Sequence, residues 1–166
     1  MAVLVLQAGL VIPKSVKSIG QEAFKDCTGF RGSLIIPSGV QTSRGGTFIG
    51  CSGFDGLIIE NSVKLAGGDF QKMSIRSCII GEDVYLSGGI FYGNNKLESF
   101  YIPSSEIKKI YQDAFAGVNQ SAVIYTDATA EDSSWYENWN SYGGGKLKVV
   151  YNTSLEQYKA KYNIEY

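Results

Sequence analysis

One short phrase recurs along the chain every 21 to 24 residues: LVIP at 10–13, LIIP at 34–37, LIIE at 57–60, CIIG at 78–81, FYIP at 100–103 and AVIY at 122–125. A unit of this length cannot enclose a core of its own, so its apolar residues must be shared with neighbouring units stacked on it. Further columns follow each phrase. The first holds Val16, Val40, Val63, Val84 and Ile107; the second holds Ile19, Ser43, Ala66, Ser87 and Ile110. Every unit then carries a Phe, at 24, 48, 70, 91 and 115, followed three residues later by Cys27, Cys51, Met73, Asn94 and Val118. Strand side chains alternate, so Leu34 and Ile36 should face a shared core and Ile35 the opposite side. Residues 16–19 read as a second short extended piece. Helical turns are expected near Gln21 and Gln112. The 20 glycines belong largely to the corners between such pieces.

Composition removes several kinds of chemistry. The chain contains no His, which excludes Ser-His and Cys-His catalysis and His-ligated zinc within it. Fifteen basic and sixteen acidic residues leave a net charge of -1, which argues against a general nucleic-acid partner. Residues 1–12 are apolar but too short to span a bilayer, lack a basic start and carry no A-x-A cleavage pattern, so no membrane insertion is expected. A start at Met1 is compatible with prior removal of a signal peptide. Cys27, Cys51 and Cys78 match no metal-binding spacing, and no metal or cofactor is expected. Cys27 and Cys51 share a column, so a disulfide is geometrically conceivable, but reduced, buried neighbours are the preferred reading. The adjacent carboxylates Glu82/Asp83 and Glu131/Asp132 would point to opposite faces of a strand, and no P-loop or dinucleotide fingerprint is present.

The residues Ile12-Pro-Lys-Ser-Val-Lys-Ser-Ile-Gly20 followed by Glu22-Ala-Phe-Lys-Asp-Cys27 resemble the BspA-like leucine-rich-repeat family. Its pattern is an Ile-Pro strand end, then Val-x-x-Ile-Gly, then Ala-Phe-x-x-Cys. The likeness covers residues 10–126 and is strong again around Ile102-Pro103 and Ala114-Phe115. Glu60 and Gly81 replace Pro in the middle units, and Ser43 and Ser87 replace the second apolar residue. The Asn column of other leucine-rich repeats is missing, so no Asn ladder is expected. The implied fold is an α/β repeat solenoid: a right-handed leucine-rich-repeat superhelix of about five coils over 1–125. Short parallel strands would alternate with short helical turns, and 126–166 would form a C-terminal cap on the last coil. The resemblance also implies a secreted or cell-surface bacterial protein, noncatalytic, that uses its repeats to bind a protein or glycan. A spacer presenting another domain is the alternative, and a β-helix carbohydrate-active enzyme a third.

Two surfaces stand out as candidates for contact. The middle residues of the phrases, Val11, Ile35, Ile58, Ile79, Tyr101 and Val123, form an apolar stripe on the open side of the sheet. The stripe reads either as ordinary strand propensity or as a face for a ligand or for self-association. Trp135 and Trp139 in the tail read either as part of the cap or as a stacking platform for a glycan. Residues 153–156 (TSLE) have the form of a capping box ahead of a final helix. Arg31, Asp55, Arg76 and Glu98 alternate in sign down one column and suggest an ion ladder between coils.

Overall fold

The structure is a computed structural model that describes residues 9–42, 45–107, 109–111 and 113–166. Ser43 and Gln112 lie outside the described residues. The remainder forms a parallel β-solenoid of about six turns. Its main sheet stacks β2 (Ser33–Ile36), β4 (Gly56–Ile59), β5 (Ser77–Ile80), β6 (Ser99–Tyr101), β7 (Val123–Tyr125) and β8 (Lys148–Val150), each parallel to the next. A second ladder begins with β1 (Ser18–Ile19) and β3 (Gln41–Thr42) and runs on through single bridges at Lys64, Tyr85 and Leu86–Ile110. A short helix, α1 (Ser104–Ile107), follows β6, and α2 (Leu155–Tyr162) ends the chain.

Register follows the recurring phrase from β2 to β6, with Leu34 beside Leu57 beside Cys78 beside Phe100. Two columns differ from the sequence reading. Ile19 pairs with Thr42, and the buried members in the next coils are Leu65 and Leu86, whereas Ala66 and Ser87 are only half-buried. The middle coils reach this position two residues after their Val, one fewer than the first and last coils need. At β7, Tyr101 lies beside Tyr125, so Val123 sits opposite Ser99. The coil that carries α1 is two residues longer than the phrase AVIY indicates. Residues 10–12 make no strand at all, and β8, from the tail, supplies the sixth.

The third side of each coil is built from turns where helix was expected near Gln21. Residues 21–26 are a run of turns in which Glu22 and Asp26 both have left-handed backbones (φ 53° and 57°). Alternate amides here look across to the next coil, while Ala23, Lys25 and Cys27 close turns onto the carbonyls three residues earlier. Phe24 N donates to Thr47 O (2.9 Å) and Asp26 N to Ile49 O (2.8 Å), and the same bonds recur from Gly50 to Gln71 O and from Lys72 to Tyr92 O. Glycine takes most of these left-handed positions in later coils, with Lys72 (φ 57°) a non-glycine exception. At Gly45 (φ 83°) an added Cβ would collide with the Gly67 carbonyl oxygen of the following coil. Gly81 replaces the expected Pro because a Cβ there would stand 2.6 Å from Asn61 Oδ1, which accepts from Glu82 N.

Inside the coils Phe48, Phe70, Phe91 and Phe115 are fully buried and stack in line, with centroids 5.9, 6.2 and 6.1 Å apart. Phe24 continues the stack at 5.1 Å but is only half-buried, because no coil lies beyond it among the described residues. Buried polar side chains tie coils together. Asn94 accepts from Met73 N and Ser74 N and donates to Phe70 O and Phe91 O, all within 3.1 Å. It is a single rung, and the other coils fill this position with apolar groups. Asp69 accepts from Thr47 N and Ala66 N, and Glu106 from Val84 N. The charge column contributes less than its signs suggest. Among the described residues only Arg76–Glu98 is paired (2.7 Å), and Arg31 bonds the carbonyls of Thr28 and Phe30 instead. Exposed pairs of this kind contribute at most about 1 kcal/mol.

All three cysteines are free thiols. Burial pushes the Cys51 thiol up to about 11 and its hydrogen bond to Phe24 O (2.8 Å) fixes it in place; Cys78 is raised further by complete burial. Unfolded, unreduced protein is therefore expected to titrate three thiols, and native protein to react first at Cys27, the half-exposed one. A single thiol after unfolding would mean a Cys27–Cys51 bond. For the stack, Phe70→Ala should cost about 3–5 kcal/mol and lower Tm by about 10 °C, and Phe24→Ala less than half as much, by calorimetry. Equal losses would contradict a stack that ends at Phe24.

Candidate recognition surfaces

The main sheet has a core side and an outer side, and α2 lies across the outer one. Ser154 is its N-cap and pairs with Gln157 in a capping box, one residue beyond the TSLE reading, while Asn163 closes the helix in a left-handed conformation. The helix is short and its sequence polar, so docking rather than propensity must hold it in place. Tyr158 supplies that docking. Its ring is completely buried against Tyr101 (5.7 Å) and Tyr125 (5.5 Å), and its hydroxyl pairs with Ser99 Oγ at 2.8 Å. Tyr162 packs on Tyr158 at 4.9 Å and donates to the Tyr125 hydroxyl.

This packing corrects the reading of the apolar stripe as an open ligand face. Ile58, Ile79 and Tyr101 are 3, 3 and 5% exposed and form a second core with Tyr125 and Tyr158. Ile35 and Val123 are half-buried at the margin of that core. Val11 is 83% exposed but belongs to no strand. With α2 in place the centre of the stripe has no free surface for a ligand or a second copy. The tail Trp pair is placed similarly. Trp139 is buried in the main core, and Trp135 packs edge-on against it at 5.5 Å, half-buried. Trp139 therefore has no open face on which a sugar could stack.

Beside the N-terminal end of α2 an open groove of about 410 Å³ gathers Glu60, Glu82 and Asp127 around Tyr101 and Tyr166. Glu60 is already engaged by Ser38 N and Oγ, and Asp127 by Ser104 N. Among the described residues no cluster of His, Cys, Asp or Glu has the composition to hold a metal ion, and no helix is long and apolar enough to cross a membrane.

The second ladder is the uncovered one. Its outward residues, Ser18, Gln41, Lys64 and Tyr85, are all exposed. Tyr85 meets Tyr111 edge-on at 5.5 Å, and Tyr111 stacks on Tyr136 of the tail at 6.3 Å. These three rings are 47, 46 and 52% exposed, and among the described residues the other exposed large apolar groups, Val11, Tyr92 and Tyr166, lie outside this cluster. Beside Tyr85 lies an open groove of about 360 Å³ whose polar lining is Lys64, Asp83 and Lys109. Sequence reading overlooked the three tyrosines. The signal for Tyr85 was its place between the buried Val84 and Leu86, which turns it outward. Nothing in the sequence showed that Tyr136 reaches it.

Burial raises the Tyr101 phenol to about 12, helped by the carboxylates of Asp127, Glu156 and Glu82, and burial raises Tyr162 to about 12 as well. A free tyrosine ionises near pH 10. The neutral phenols thus contribute stability fully below about pH 10 and lose it as pH climbs through 12. Melting followed by circular dichroism should show a Tm that is level from pH 8 to 10 and falls steeply above; a level Tm through pH 12 would contradict the docked helix. Tyr158→Phe, which removes one hydroxyl partner of Ser99 Oγ, should cost about 1 kcal/mol, and Tyr158→Ala about 3 kcal/mol or more.

A family model described as BspA type leucine-rich repeat region matches residues 7–122, in six copies. No curated protein and no solved structure matches the chain. The six stacked strands, the five-Phe column and this match over most of the sequence agree, and the chain belongs to the BspA-type leucine-rich-repeat family.

Proposed function

We propose that this chain is a noncatalytic recognition module that binds a protein or glycan at a bacterial surface, as a secreted or surface-attached protein. The family is generally a noncatalytic repeat module, suited to interaction or adhesion. In this reading residues 126–166 cap a right-handed superhelix: Trp139 seals the last coil while α2 seals the outer sheet face. The observation that carries it is the contrast between the two ladders. One is closed by the chain's own tail, and the other keeps three tyrosines half in water, where a folding core gains little from them. The buried carboxylate of Asp69 accepts from the Thr47 and Ala66 amides and that of Glu106 from the Val84 amide and Lys109 Nζ, contacts that suit a packing role.

Recognition and a mere spacer differ in one measurable way. Fluorescently labelled chain should bind bacterial or epithelial cells saturably, and unlabelled chain should compete. Binding that never saturates on any cell type would favour the spacer. Substituting Ile79 or Tyr101 does not discriminate the two, because both would first loosen α2.

A further inference from the structure

We propose that Tyr85, Tyr111 and Tyr136, with the groove beside Tyr85, form a stacking strip for a neutral glycan. The proposal rests on the recognition reading and names its ligand class. A pyranose ring presents a flat C–H face with a rim of hydroxyls that both donate and accept. Its face suits an exposed aromatic ring, and its rim needs polar groups of both kinds within reach. The strip offers both. Three half-exposed rings follow one another at 5.5 and 6.3 Å, the first pair edge-to-face (64°) and the second near-parallel (29°), so a ligand lying along them meets rings of successive coils. An oligosaccharide of several units fits this better than a single sugar.

The groove supplies the rim contacts. Lys64 is exposed and makes no ion pair among the described residues, so its ammonium is available as a donor. Asp83 holds only long contacts, 3.4 Å to Lys109 Nζ and 3.4 Å to Ser62 Oγ, which a sugar hydroxyl would shorten or replace. The other ligands that stack on aromatic rings fit less well. A nucleic acid needs a basic track for its phosphates, and here Asp83 and Glu106 sit beside Lys109 in a chain of net charge -1. An apolar peptide anchor buries itself away from charge, and this groove is lined by three charged side chains, Lys64, Asp83 and Lys109.

The test is affinity electrophoresis of the whole chain through native gels containing, in turn, a soluble β-glucan, a xylan and a mannan. Retardation by at least one is expected. Tyr111→Ala should weaken it about ten-fold or more, Tyr136→Ala and Lys64→Ala should weaken it as well, and Tyr92→Ala should leave it unchanged. Tyr92 is a fair control because it is 50% exposed yet outside the cluster. Melting curves accompany each variant; if Tyr111→Ala fails to fold, Tyr136→Ala decides. Retardation by none of the three polysaccharides, or retardation that the deciding variant retains in full, would overturn the strip. Saturable cell binding without retardation would overturn the strip alone, and loss of both would overturn the recognition reading with it.

Discussion

Everything in this molecule depends on each coil having a neighbour. A coil of 21 to 24 residues leaves its Phe, its strand residues and many of its amides half-satisfied, and the next coil completes them at the strand spacing. The backbone bonds from Phe24 to Thr47, Phe48 to Asp69 and Phe70 to Ile90 repeat down one side while the main sheet does the same on another. The stacked rings between them lock the register, because a slip of one residue would unseat every Phe at once. The same constraint explains why an expected helical turn gives way. An amide already bonded to the neighbouring coil has no role to play in a helix.

Much of this was legible because the repeated columns are packing columns. Leu34, Leu57, Cys78 and Phe100 stand in line in the sequence and in the sheet. Legibility failed where coils differ in length. Leu65 and Leu86 arrive one residue early, and Tyr125 replaces Val123 beside Tyr101, since an apolar triplet looks like a strand wherever it falls. The covering of the outer face was not legible at all. An apolar stripe reads the same whether it faces a ligand or the chain's own helix, and the eight residues of α2 carry only Tyr158 as a buried anchor. The exposed tyrosines escaped notice for a related reason: Tyr85, Tyr111 and Tyr136 are far apart in sequence and meet only when the coils stack and the tail returns.

The tail therefore divides the surface into two kinds. Its strand extends the main sheet, its Trp139 enters the core, and its helix turns the most apolar outer stripe into a second core. What it leaves in water is the second ladder, polar in its first coils and aromatic where Tyr85, Tyr111 and Tyr136 gather. A binding role assigned to the centre of the main sheet's outer stripe must first displace α2, whereas one assigned to the second ladder needs no rearrangement.

Closure of the outer face of the main sheet by α2 can be read from nuclear Overhauser contacts. Cross-peaks are expected from the Tyr158 ring protons to the Tyr101 and Tyr125 rings, with slow exchange of the amides in α2. A Tyr158 ring without contacts to β6 and β7, together with α2 amides exchanging as in a free peptide, would contradict it and return the apolar stripe to the solvent.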